Sequence, residues 1–118
     1  MVAVNLFIWY PKCSTCQKAY QVLKEKNISV ETRDIKENNP TKEEIKNWLN
    51  TYQIPLKKLF NTSGNLYKEL HLKDKLGDMS LEEQITLLSS NGMLVKRPLL
   101  FLNDKLIIGF DRKAYDLL

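Results

Sequence analysis

Val4-Asn5-Leu6-Phe7-Ile8-Trp9-Tyr10-Pro11-Lys12-Cys13-Ser14-Thr15-Cys16 is the stretch on which the fold turns. Val4 to Trp9 is a nearly continuous apolar run with β-branched and aromatic residues, as in a strand buried on both faces of a partly parallel sheet. It ends at Tyr10-Pro11-Lys12. From Cys16 onward, apolar side chains recur at Ala19, Tyr20 and Leu23, which is helical spacing, and Asn27 is a suitable terminator. Ile28 to Ile35 then alternates apolar and polar residues through Val30, Thr32 and Asp34, the period of a second strand. The opening is a βαβ unit with both cysteines at its first strand-to-helix turn. In open α/β sheets, sites are usually built at that end of the strands.

Outward from this unit the period changes twice. Asn39-Pro40 is a turn signal, Thr41 with Glu44 has capping-box spacing, and Ile45, Trp48, Leu49 and Tyr52 form one apolar stripe. Pro55 restarts the chain into Leu56 to Phe60, and Asn61-Thr62-Ser63-Gly64 is a loop before a helical stretch from Leu66 to Leu72. Ser80 and Glu83 repeat the capping-box spacing, Leu81, Ile85 and Leu88 are expected to face one way, and Asn91-Gly92 stops that helix. Leu99 to Leu102 and Lys105 to Gly109 read as short strands joined by Asn103-Asp104, a pair suited to the positive φ of a tight hairpin turn. Asp111 can cap a closing helix. The order βαβ, helical insertion, ββα is that of a thioredoxin-like α/β fold with a mixed central sheet. Residues 1–118 are expected to form a single domain, with the insertion over about 40–92.

Bulk properties narrow the function classes. A chain of 118 residues can build a core without disulfides or metals to hold it, so its two cysteines are free to carry chemistry. Hydrophobic residues at 43% and charged residues at 27% describe an ordinary globular protein. The net charge of +4 comes from lysines scattered among glutamates, with no helix face concentrating phosphate-gripping residues, so direct nucleic-acid binding is not expected. The apolar stretch Val2 to Tyr10 lacks a preceding basic region, a small-residue cleavage site and the roughly 20 residues that span a bilayer. It reads as a strand, no membrane association is expected, and the expected compartment is the cytoplasm. There a close cysteine pair is more often catalytic, redox-sensing or metal-binding than structural.

At a helix N-terminus, unpaired N–H groups and the helix dipole stabilise an anion, so Cys13 should ionise more readily than a free thiol. Cys16, one turn further in, is placed to attack a mixed disulfide formed on Cys13. Cys13 is the expected nucleophile and Cys16 the expected resolving thiol. Other readings of the pair are weaker. So small a loop constrains the unfolded chain little, which disfavours a structural disulfide. A structural zinc site takes four ligands, whereas the chain offers two cysteines and His71, so no metal and no cofactor are expected. Two inert buried cysteines would make the strand-to-helix placement a coincidence.

Arg97-Pro98 is the second candidate. Proline suits the start of the strand Leu99 to Leu102, and the arginine is an always-charged fork for an oxyanion or a thiolate. Its significance depends on the fold bringing it to Cys13. His71 reads as a surface or capping residue, Trp9 and Trp48 as packing residues, and Asn61 to Gly64 as a capped loop in preference to an anion-binding turn.

Three segments in combination carry a resemblance: Tyr10-Pro11-Lys12-Cys13-Ser14-Thr15-Cys16-Gln17-Lys18-Ala19, Phe60-Asn61-Thr62-Ser63-Gly64 with Tyr67-Lys68-Glu69-Leu70, and Lys96-Arg97-Pro98-Leu99. Over essentially its whole length the chain resembles the arsenate reductase (ArsC)-like family, on the branch of Spx and MgsR-type proteins. The resemblance implies a thioredoxin fold with a helical insertion and a cis Pro98 facing the cysteine pair, which would bring Arg97 to the site. In glutaredoxin-linked arsenate reductases one cysteine attacks arsenate while three arginines hold the oxyanion. By motif the cysteine falls on Cys13 and one arginine on Arg97. The other two positions fall on Asn61 and near Phe110, with Arg112 off register. Each missing fork removes charge-assisted hydrogen bonds of roughly 1.5 to 3 kcal/mol, which weighs against arsenate reduction.

Cys16 is the other departure, because Spx-like proteins have a Cys-X-X-Cys disulfide switch where these reductases commonly do not. The leading expectation is a thiol-disulfide oxidoreductase in which Cys13 and Cys16 form a redox-active disulfide and Arg97 stabilises the Cys13 thiolate. A small thiol or a thioredoxin- or glutaredoxin-type protein would be the reductant. The alternative is an Spx-like redox-sensing transcriptional regulator that binds the RNA polymerase α subunit.

Overall fold

Phe7 and Ile8 are both fully buried, although their side chains point to opposite faces of one strand. That strand, β1 (Leu6–Trp9), is therefore central to its sheet. The computed structural model describes residues 5–118, so the expected strand residue Val4 and the stretch from Val2 lie outside the described residues. Contacts divide the chain into two compact units, Met1–Asp34 with Arg97–Leu118, and Ile35–Lys96.

In the first unit, β1 leads into α1 (Ser14–Glu25), which buries Cys16, Ala19 and Leu23 on one face. The helix closes with Asn27 at φ 57° and an Ile28 N–H donating to the Leu23 carbonyl at 2.9 Å, as expected of a left-handed terminator. The second strand, β2 (Glu31–Asp34), is shorter than the alternation over Ile28 to Ile35 suggests. It pairs parallel to β1, and β3 (Leu99–Leu102) pairs antiparallel on the other side of β1. The last strand, β4 (Lys105–Ile108), pairs antiparallel with β3, giving the mixed order β2-β1-β3-β4. Asn103 and Asp104 both take positive φ, 51° and 64°, and make the hairpin turn for which their residue types are suited. The register pairs Phe7 with Leu100, and these two pack with Leu102, with Ala19 and Leu23 of α1, and with Tyr115 of the closing helix. This α/β arrangement is thioredoxin-like.

The second unit is helical. Its first helix, α2 (Lys42–Tyr52), carries the full Thr41/Glu44 capping box and buries Ile45 and Trp48. A 3₁₀ turn at Leu56–Leu59 follows. The helix expected from Leu66 to Leu72 is broken in two, α3 (Asn65–Glu69) and α4 (Leu72–Lys75), because His71 adopts φ 54° between them. Another 3₁₀ turn, Leu76–Asp78, leads to α5 (Leu81–Ser90), capped by Ser80 and Glu83 as their spacing suggests. Ile85 and Leu88 are buried, but Leu81 is 60% exposed, since at the first turn it precedes the packed part of the helix. Beyond Asn91 a Cβ on Gly92 would overlap the Ile35 carbonyl, so the chain passes there only without a side chain. The helical insertion expected over about 40–92 lies within this unit.

Candidate functional site

Cys13 is the N-cap residue of α1, with extended backbone (φ −86°, ψ 123°). Its own N–H donates to the Tyr10 carbonyl at 2.9 Å, closing the Tyr10-Pro11-Lys12 turn, and its carbonyl accepts from the Gln17 N–H at 3.0 Å. The Gln17 amide reaches back to the Pro11 carbonyl at 2.8 Å and ties the turn to the helix. The turn therefore holds the half-buried Cys13 thiol at the free N–H groups of the helix.

Burial acts to raise the Cys13 pKa, and it is outweighed. The side chain makes no cap hydrogen bond. The nearby N–H groups of Cys16 and Thr15, the Cys16 thiol and the positive charge of Arg97 favour the thiolate and hold the thiol below its ordinary range. Cys16 behaves oppositely. It is fully buried, and that burial, reinforced by the neighbouring Cys13 charge, pushes its thiol up to about 12 against the opposing influences of Tyr10 and Arg97. Two chemically identical side chains three positions apart thus differ in sign, the Cys13 thiol lowered and the Cys16 thiol raised.

Arg97 and Pro98 stand at the entry to β3, joined by a cis peptide bond. The Arg97 charge acts on both cysteines, so the fold brings these sequence candidates to one place. Its guanidinium carbon lies 5.6 Å from the centroid of the Tyr10 ring. Tyr10 was not singled out by sequence reasoning, because one tyrosine at a strand end carries no periodic signal. Its one signal is its place at the head of the Tyr10-Pro11-Lys12-Cys13 segment.

Trp9 joins Phe7 and Tyr20 in an aromatic cluster, with centroids 4.8 Å apart for Trp9 and Tyr20. Trp48 is buried on α2, and His71 is an exposed residue at the start of α4. Asn61 is buried within its own turn, accepting from the Gly64 N–H at 3.1 Å and donating its backbone N–H to Leu94 at 2.8 Å. Phe110 packs edge-on against Tyr115 at 4.9 Å, and Arg112 lies over Phe110 and pairs with Asp116 at 3.8 Å. Among the described residues, no group of three or more His, Cys, Asp or Glu is arranged to hold a metal ion.

The chain is 46% identical over 110 residues to protein YusI of Bacillus subtilis, covering 93% of each. It is 31% identical over 105 residues to the regulatory protein MgsR of the same organism, covering 89% of this chain and 82% of that one. In structure it resembles an ArsC-family-related protein of Bacteroides fragilis, with 48% identity, a TM-score of 0.90, and 99% and 98% of the two chains covered. With the model of the ArsC family matching residues 8–118, over both cysteines and the Arg97-Pro98 pair, the chain belongs to the ArsC family.

Proposed function

We propose that the chain is a thiol-disulfide redox protein in which Cys13 is the nucleophile, Cys16 the resolving thiol and Arg97 the counter-charge of the Cys13 thiolate. The supporting observation is the opposite setting of the two thiols, Cys13 lowered at a helix N-cap and Cys16 raised in the core behind it. The Cys13 thiolate attacks one sulfur of a substrate disulfide and releases the other as a thiolate. Cys16 gives its proton to solvent and attacks the Cys13 sulfur, expelling the second substrate thiolate. Two protein thiols become one disulfide, and the substrate disulfide gains the two electrons. A small thiol or a thioredoxin- or glutaredoxin-type dithiol would restore the pair in a reducing, cytoplasmic setting.

By the resemblance to glutaredoxin-linked arsenate reductases, Arg97 falls on one of their three oxyanion-holding arginines, while the second position falls on Asn61 and the third near Phe110. This supports a disulfide over an oxyanion as the electrophile. The test is reduction of a small disulfide and of arsenate, side by side, by wild type and Cys13→Ser. Loss of disulfide reduction in the variant supports the reading, and unchanged activity would sink it.

The 31% identity to a regulatory protein favours a second reading, a redox-sensing regulator in which the same pair switches binding to the RNA polymerase α subunit. Co-purification of that subunit with the reduced and the oxidised chain tests it. Binding in neither state rules it out.

A further inference from the structure

The hydroxyl of Tyr115 is buried with no hydrogen-bond partner among the described residues, and the whole residue is fully inaccessible. Buried hydroxyls are nearly always satisfied, because an unpaired one forfeits its hydrogen bonds to water, so an orphan calls for an explanation. Its surroundings are apolar. Tyr115 belongs to one core cluster with Phe7, Ala19, Leu23, Leu100 and Leu102, and Phe110 meets its ring edge-on at an interplanar angle of 86°. Phenylalanine would fill this volume without the orphan oxygen. Ala19 is one turn beyond Cys16 on the buried face of α1, and Cys16 is itself fully buried. Negative charge on Cys16 is felt at Tyr115, whose own ionisation is displaced upward first by burial and then by that charge. The hydroxyl therefore remains a neutral donor and cannot serve as a base.

We propose that Tyr115 is a positioning residue whose hydroxyl, unpartnered in the dithiol state, donates a hydrogen bond to the Cys16 sulfur when that sulfur carries charge. This rests on the dithiol reading of the pair. Charge develops on Cys16 at two moments. One is when it loses its proton to solvent and attacks the Cys13 mixed disulfide. The other is when an incoming thiolate bonds to the Cys13 sulfur and Cys16 leaves with the electron pair of the broken sulfur-sulfur bond. In an apolar core, a charge-assisted hydrogen bond from a preplaced donor lowers the barrier to both.

Substoichiometric 5,5′-dithiobis(2-nitrobenzoate) separates the steps in a single turnover, with one coloured thiolate released by Cys13 attack and a second by Cys16 attack on the mixed disulfide. In Tyr115→Phe the first phase should keep its rate and the second should slow about three- to tenfold, the share of a charged hydrogen bond realised at the transition state. A second phase within twofold of wild type would overturn the proposal. So would a reduced Tyr115→Phe protein that fails to fold, because removing a hydroxyl that bonds nothing in that state cannot unfold it. If the wild type releases only one thiolate, or Cys16→Ser releases two, the dithiol reading itself fails and takes this inference with it. That failure shows before Tyr115 is altered.

Discussion

Arg97 lies over the face of Tyr10, guanidinium carbon to ring centroid 5.6 Å, and so the positive charge that lowers the Cys13 thiol pKa rests on the residue that accepts the Cys13 N–H bond. The Tyr10-Pro11-Lys12 turn thus orients both members of the thiolate-guanidinium relationship. A cation above a ring is worth about 0.5–1 kcal/mol at partly exposed sites. Tyr10→Leu should raise the pH midpoint of Cys13 alkylation by less than about one unit, since one unit corresponds to about 1.4 kcal/mol. Tyr10→Phe should restore it, because the ring face is kept. If both variants shift the midpoint equally, the hydroxyl and not the ring is responsible.

Cys13 is lowered from the ordinary thiol range, so its thiolate fraction at neutral pH exceeds that of a free cysteine. The rate of iodoacetamide modification against pH should have its midpoint below about 8.5. For a depressed acid, stabilisation of the native state is present above the ordinary thiol pKa and lost as the pH falls through the folded value. Arg97→Ala removes one of the lowering influences and should move the midpoint up, with a matching loss of rate at pH 7. A midpoint unmoved by that change would remove Arg97 from the site.

Cys16 has the opposite sign. Its folded pKa is raised to about 12, so burial of the neutral thiol stabilises the native state below the ordinary thiol pKa, and that contribution fades as the pH rises toward 12. Under native conditions between about pH 6 and 9, alkylation should add a single label, on Cys13, with Cys16 labelled only after denaturation. Peptide mass spectrometry distinguishes the two. Labelling of Cys16 at a comparable rate in the folded protein would mean that the pair is not divided into exposed and buried partners.

Much of this was readable from residue types alone, for local reasons. Thr41 with Glu44, Ser80 with Glu83, Asn103-Asp104 and Asp111 each specify a cap or turn within four residues, and each adopts the geometry its chemistry favours. The cysteine pair was legible because a strand pattern and a helix pattern meet there. Less legible were features set by distant partners. His71 interrupts an apparently continuous helical pattern with φ 54°, and Leu72 just after it is buried. Tyr115 lies in a helix of five residues, Arg112–Asp116, too short for periodicity to separate a core position from a surface one. Its relation to Cys16 arises only when the closing helix packs on the α1 face.

The two capping boxes should act on stability without touching the cysteines. Thr41 and Ser80 each accept from the N–H three residues on, at 3.1 Å, while Glu44 and Glu83 return the bond to the cap N–H at 3.1 Å. Thr41→Ala and Ser80→Ala should each cost about 1 kcal/mol in urea unfolding. The Cys13 alkylation rate at pH 7 should be unchanged in both. A cost near zero would mean that these helix ends are satisfied by water.

Gly92 and Gly77 make a matched pair of glycine-to-alanine experiments with opposite expected signs. A Cβ on Gly92 would overlap the backbone carbonyl of Ile35, which cannot move aside as a flexible side chain would. A Cβ on Gly77, in the 3₁₀ turn Leu76–Asp78, would meet nothing within 4 Å. Gly92→Ala should destabilise by about 1–3 kcal/mol, as overpacking does, or prevent folding. Gly77→Ala should be neutral or stabilise by up to about 1 kcal/mol, because alanine restricts the unfolded chain at a position where it meets no obstruction. Thermal melts of the two variants decide the matter. A tolerated Gly92→Ala would show that the Ile35 backbone yields, and that the close approach of the chain at Asn91-Gly92 is not what demands a glycine there.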